Sequence, residues 1–237
     1  MAGSKNLSIG TKTIIVGAGG LGAIGWDTIS TNGFNSMFDD LTAIGGGHGG
    51  VRDVFYDTIN AKGGPGASGG GGSHGRTSTG WTAGGENITT DQGHKGGRGY
   101  YTYGLGVQGG GGGGAGEPGK DSGTGAWGPP GRGGDGLYSK NNLNFKTDFK
   151  LDVFGIGESS EGQIWLGGGG SGACHWGPEG NGDWLGGKGG GGAGQTRGSY
   201  SGIGTNGLAN TGGGGGAGNP KGGLGGSGLV IIRYAIN

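Results

Sequence analysis

GGGGGAGEPGKDSGTGAWGPPGRGG, residues 110–134, reads at a period of three. Counting by threes from Gly110 gives Gly113, Gly116, Gly119, Ser122, Gly125, Gly128, Gly131 and Gly134. One position breaks the series, and it is a serine. The same count from Gly198 passes Ser201, Gly204, Gly207, Asn210, Gly213, Gly216, Asn219, Gly222 and Gly225 and ends at Gly228. Three residues per turn is the repeat of the extended left-handed helix, which has no internal hydrogen bonds. Every third position then shares a face, and a face of glycine lets another chain come close. Collagen uses the same logic with an unbroken repeat rich in proline. Here the repeat breaks many times and the chain holds only 6 prolines. The pattern predicts several short polyglycine-II-like helices that fold back and pack on one another. Their backbone groups must then pair with those of neighbours, and close Cα–H···O contacts add a weaker attraction.

Composition points the same way. Of 237 residues 78 are glycine, and only 38 are Leu, Ile, Val or Phe. That is too little for an ordinary apolar core. Segments recur loosely: GGGGGAGEP at 110–118, GGGGGAGNP at 212–220 and GGGGAGQ at 189–195. The expected fold class is irregular and mostly β, a glycine-rich sandwich of packed polyglycine-II helices with short capping β-strands and essentially no α-helix. Residues 1–10 read as an N-terminal segment and 11–237 as a single glycine-rich domain.

The apolar stretches are few. Residues 142–154 (NLNFKTDFKLDVF) alternate apolar and polar side chains, which predicts a half-buried strand. Residues 51–60 give a weaker case. Residues 11–16 and 229–236 are short and β-branched, and they are expected to pair across the two ends of the chain.

Several motifs imitate enzyme sites. TKTIIVGAGGLG (11–22) contains Gly17-x-Gly19-x-x-Gly22, the spacing of a dinucleotide-binding turn. Such a turn needs a helix behind it, and AIGWDTISTNGFN does not make one. GAGEPGK (114–120) approaches a phosphate-binding loop, but Asp121 stands where Ser or Thr would hold magnesium. Gly66-Ala67-Ser68-Gly69-Gly70 matches a nucleophile elbow without the strand and helix that define one. His48, His74, His94 and His175 are far apart, so no metal site is expected. The single cysteine, Cys174, excludes an intrachain disulfide. No catalytic residue, cofactor or metal is assigned, and no enzyme activity is expected.

Charge sets further limits. The 16 basic and 16 acidic residues cancel, which argues against nucleic-acid binding. No apolar run reaches 18 residues, so membrane insertion is not expected. The N-terminus shows no charged region followed by an apolar one, so a conventional secretory signal is not expected.

The aromatic residues stand in glycine-flanked loops. Trp81, Tyr100, Tyr101, Tyr103, Trp127, His175, Trp176 and Trp184 are candidates for a contact surface, since Trp and Tyr give large contact area at low entropic cost. The alternative reading is that they lid the ends of thin glycine helices and bury flanks. Gly110, Gly113, Gly116, Gly213, Gly216 and Gly225 are the candidates for closest packing.

TIIVGAGG, FNSMF, AIGGGHGG, QGHKGGRG, NGLANTGGGGGAG and the closing GGSGLVIIRY occur in that order. Together they resemble the glycine-rich domain of bacteriophage tail-fibre proteins and of some large bacterial surface proteins. The resemblance covers almost the whole chain. It implies a structural or adhesive module at the virion surface or outside the cell. The partners it implies are other copies of the chain, other fibre proteins, and a bacterial surface receptor or glycan. In tail fibres the domain ends a longer chain, whereas about ten residues precede Thr11 here. That departure opens a second reading, the subunit of a self-assembling extracellular filament. Ice binding is a third, since some small antifreeze proteins are polyglycine-II bundles; the irregular spacing of Thr77, Thr79, Thr82, Thr89, Thr90 and Thr102 argues against it.

Overall fold

The computed structural model describes residues 5–25, 28–51, 60–73, 80–102, 106–125, 128–174, 184–195 and 202–234. Among them there is no helix. There are twelve short strands in five small sheets. β1 (Ile14–Ile15), β2 (Ser36–Phe38) and β3 (Leu41–Ala43) form one antiparallel sheet, and β4 (Gly80–Thr82), β5 (Gly99–Thr102) and β6 (Gly106–Gln108) another. Two hairpins follow. β7 (Ser139–Lys140) and β8 (Leu143–Asn144) flank Asn141 and Asn142; β9 (Glu158–Ser160) and β10 (Gln163–Trp165) flank Glu161 and Gly162. All four turn residues have positive φ, the geometry of the tight hairpin turn that matches strand twist. β11 (Gly202–Ile203) and β12 (Pro220–Lys221) pair in parallel.

Most of the chain lies outside these strands, in glycine tracts joined by backbone hydrogen bonds of three-residue period. Tract 109–116 shows the rule. The amides of Gly109, Gly112 and Ala115 donate to Ala173, Gly170 and Gly167. Those of Gly110 and Gly113 donate to Gly72 and Gly69, and those of Gly111 and Gly114 to Lys120 and Glu117. Successive amides thus serve three different neighbours. Two more neighbours donate back, Gly131 and Gly134 to the carbonyls of Gly109 and Gly112, and Gly97 and His94 to those of Gly111 and Gly114.

This packing needs glycine at two positions of every three in that tract. A Cβ on Gly110 would strike the Gly97 carbonyl oxygen, and one on Gly113 that of His94. A Cβ on Gly111 would strike the Arg132 oxygen, and one on Gly114 that of Asp135. Gly116, Gly213 and Gly216 are blocked in the same way by the carbonyls of Gly136, Gly190 and Ala193. The third phase is open. The nearest atoms to a Cβ on Gly109 and Gly112 are 3.3 and 3.6 Å away, and Ala115 carries a real Cβ there. Gly225 is intermediate, with the Gly20 nitrogen at 3.1 Å.

Eight tracts close into a ring. Bonds run from Phe34 to Ala18, Gly33 to Gly46, Gly47 to Ser68, Gly110 to Gly72, Gly112 to Gly170, Gly214 to Gly168, Gly223 to Gly216 and Gly225 to Gly20, each donor first, at 2.8–2.9 Å. The ring encloses a slot of about 380 Å³ lined by all eight. Few large apolar side chains are buried among the described residues: Tyr101, Leu151, Ile164 and Trp184.

Two expectations are corrected. Residues 142–154 are not one strand. After β8 the chain turns, because the Asn144 side chain accepts hydrogen bonds from the amides of Lys146 and Thr147 and Lys150 takes a positive φ. Leu151 is buried, but Val153 and Phe154, one on each face of the expected strand, are both exposed. Residues 11–16 and 229–234 do not pair as strands either. β1 pairs with β2, and the chain ends meet through glycine, Gly228, Gly225 and Gly222 donating to Gly17, Gly20 and Ala23. Bare glycine backbones approach more closely there than the branched side chains beyond them. The Gly17-x-Gly19-x-x-Gly22 stretch is therefore one wall of the ring, and no helix follows it among the described residues. The weaker strand expected at 51–60 lies almost wholly outside the described residues.

Gly113→Val and Gly216→Val should each cost about 3 kcal/mol, a fall of roughly 10 °C in melting temperature for a chain of this length. Gly112→Ala should stay within about 1 kcal/mol of wild type, since it meets no close atom and restricts the unfolded chain. Thermal melts followed by circular dichroism compare the three.

Candidate contact surface

Among the described residues, Trp81, Tyr100 and Tyr101 lie in the β4–β5–β6 sheet at one end of the ring. β6 runs straight into tract 109–116, which places the β4–β5–β6 sheet at the Gly109 end. Other loop anchors converge there. Gln108 bridges Cys174, and its side-chain amide donates to the Gly125 carbonyl at 2.9 Å. The Cys174 thiol lies 3.6 Å from the Gly128 carbonyl. Ser73 donates to Ala61, and Val51 to Asn60. Chain segments distant in sequence therefore leave the ring at the same end.

Trp81 in β4 stands opposite Tyr100 in β5. Their rings meet edge to face, 4.8 Å apart at 64°. The Arg98 guanidinium lies 4.4 Å above the Trp81 ring. Arg98 is itself held by Asp121, whose Oδ2 accepts from Nε at 3.0 Å and Nη2 at 2.8 Å while Oδ1 accepts from the Arg98 amide at 2.7 Å. Trp81 is 42% exposed, so the cluster is a stiff aromatic and cationic platform open to solvent. Burial is the largest influence on Asp121 and raises its pKa; the hydrogen bonds and charge of Arg98 outweigh it and hold the carboxyl below 3.8. The same side-chain bond raises Arg98.

The strand period separates the two adjacent tyrosines. Tyr100 lies with Trp81, while Tyr101 points to the opposite face and is 9% exposed. Trp184 is 7% exposed, and its carbonyl accepts the Ser171 hydroxyl. Those two belong to the interior. Tyr103, Trp127, His175 and Trp176 lie outside the described residues. Their flanking anchors, Thr102, Gly125, Gly128 and Cys174, are at the Gly109 end.

A second aromatic cluster sits at the other end of the tract, beyond Gly116. Tyr138 and Trp165 meet edge to face at 5.0 Å, and the Lys188 ammonium lies 5.0 Å from the Trp165 ring. Lys188 pairs with Glu161 at 2.7 Å, which raises its pKa. Sequence reasoning did not select Tyr138 and Trp165 as a pair. The signal available was positional: each borders a hairpin turn, Asn141-Asn142 or Glu161-Gly162. Among the described residues, no group of three His, Cys, Asp or Glu side chains could hold a metal ion, and no helix is long and apolar enough to cross a membrane.

Residues 3–235 match the family model of the glycine-rich domain, and the chain belongs to that family. No curated protein and no solved structure matches it.

Asp121→Asn should lower the melting temperature at pH 7 by the equivalent of about 1 kcal/mol or less, as suits a half-exposed pair. A lowered carboxyl pKa stabilises above pH 3.8 and loses that contribution as pH falls through the folded value. The gap between variant and wild type should therefore close on acidification below pH 3.8, as read by melts across a pH series.

Proposed function

We propose that this protein is a structural and adhesive module, a glycine-rich component of a phage tail fibre or virion surface. Its tracts act as packed polyglycine-II helices that hold aromatic loops against a bacterial surface receptor or glycan. The observation that carries this reading is the convergence of loop anchors at the Gly109 end, beside the exposed Trp81–Tyr100–Arg98 platform. Rigid aromatic side chains with an adjoining cation suit a surface that binds without chemistry. The three-residue hydrogen-bond period supports the helix assignment. The reading assigns no catalytic residue and no cofactor, and it places the protein at the virion surface or outside the cell.

A second reading, the subunit of a self-assembling filament, has its own support. Ile15, Ala18, Leu21 and Ile24 recur every third residue and all are exposed. They form an apolar stripe on the tract that closes the ring, beginning in β1, an outer strand of its sheet among the described residues. Exposed apolar edges of this kind invite pairing between copies.

Fluorescently labelled protein applied to a panel of bacterial cells and to a glycan array tests the adhesive reading. Binding should fall at least tenfold, about 1.4 kcal/mol, in Trp81→Ala or Trp176→Ala with no change in melting temperature. Undiminished binding in both variants, or regular fibres of the protein alone in electron micrographs that Leu21→Glu abolishes, would replace the adhesive reading with the filament.

A further inference from the structure

LVIIRY, residues 229–234, has the composition of a strand, with three β-branched side chains and a tyrosine in six residues. It has no strand partner. Among the described residues, none of its backbone amides or carbonyls is bonded to another backbone group. None of the six takes a positive φ, and Ile231, Ile232, Arg233 and Tyr234 are exposed. Free amides and carbonyls on such a stretch are a template for another strand. Residues 5–11 (KNLSIGT) also lack backbone bonds, but they mix polar side chains with a glycine at positive φ, Gly10, and offer no such edge. Segment 229–234 leaves the ring at the Gly116 end. Ala115 donates to Gly167, Gly167 to Thr211, Gly226 to Gly213 and Gly228 to Gly17, which carries the chain away from the Trp81 platform. A groove of about 360 Å³ lies between 229–233 and the side chains of Phe149, Leu151, Phe154 and Ile156. Phe154 and its neighbour Val153 are 69% and 76% exposed. Asp148 and Arg233 face each other across the groove, Oδ1 to Nη1 at 3.8 Å.

We infer that residues 229–234 are the interface between two copies of this chain, paired antiparallel across a two-fold axis that passes near Ile231 and Ile232. A segment that pairs with itself needs no second surface, since each copy supplies the same amides, carbonyls and apolar side chains. No tract of the ring uses the segment, so it is free in every copy. A register centred on Ile231 and Ile232 sets β-branched side chains opposite one another. It leaves each Arg233 opposite Leu229 or Val230 of the other copy, so like charges do not meet. Val153, Phe154, Ile231, Ile232 and Tyr234 expose on the order of 600 Å² per copy, most of the roughly 800 Å² that each partner of a standard interface buries. A two-fold pair uses both edges and closes, so it gives dimers and not fibres. The Trp81 platform, at the opposite end of each copy, stays uncovered. This goes beyond the adhesive reading and does not depend on it.

Sedimentation velocity of the full chain over a hundredfold range of concentration tests the interface. Wild type should pass from monomer to dimer and stop there. Ile231→Pro removes an amide from the pairing edge, and Ile232→Lys sets like charges at the axis. Each should raise the dimer dissociation constant at least tenfold. Each should also keep a melting temperature within a few degrees of wild type, because neither position carries a backbone bond of the ring. Cysteine cross-linking by air oxidation gives a second readout that needs neither variant. At least one of Ile231→Cys and Ile232→Cys should form a disulfide with its own copy across the axis, while Cys174, which is buried, should not. A monomer at every concentration, assemblies that grow past the dimer, a dimer unchanged in the folded variants, or no cross-link from either cysteine would each overturn the inference.

Discussion

The structure depends on one contact, a backbone amide meeting the carbonyl of a neighbouring tract with no side chain between them. Everything else follows from how close that contact is. At Gly111 and Gly113 a single Cβ would sit on a carbonyl oxygen of the next tract. The hydrogen that occupies that direction instead makes a Cα–H···O contact, weak alone but repeated along each tract. Glycine loses more conformational freedom on ordering than any other residue. Each amide that finds a partner offsets only part of that loss. A single tract could not be stable; a tract bonded to five neighbours, as 109–116 is, can be.

This explains what the sequence made legible. The three-residue period of glycine recurs in the hydrogen bonds of tract 109–116, and the irregular, helix-free character of the fold could be read before any coordinates. The second blocked phase, Gly111 and Gly114, was hidden because a run of five glycines shows no phase of its own. The alanine in GGGGGAG carries the missing information. Ala115 marks the phase where a Cβ is allowed, and Ala217 occupies the equivalent place in the second copy of the motif; both line the slot. Small side chains inside glycine runs report the open face better than the glycines report the closed ones.

Errors arose where local chemistry overrode pattern. Alternation over 142–154 suggested a strand, but an asparagine at 144 can bond the amides that follow it and start a turn. The terminal β-branched runs suggested a pair, yet the ends meet through the glycines between them. In both cases side-chain pattern was given weight that this fold assigns to backbone. The contact surface was partly legible for the same reason. Trp81 and Tyr100 could be named as contact candidates, and strand alternation separates half-buried Tyr100 from buried Tyr101. The gathering of anchors at Gly125, Gly128 and Cys174 could not be read, since it depends on which tracts become neighbours across the ring.

A core of backbone also separates the packing of the tracts from the side chains at their end. In an ordinary domain, loop residues reach into the core and a change at the surface is felt inside. Here the ring is held by amides and carbonyls common to every residue, and the aromatic platform is attached at its end through short strands. Arg98 is fixed by Asp121 rather than by the packing of the ring. Within the tracts, glycine at two positions in three leaves almost no freedom. The tracts thus accept a Cβ in one phase of three and refuse it in the other two, while the exposed Trp81 ring at their end is bound by no such rule.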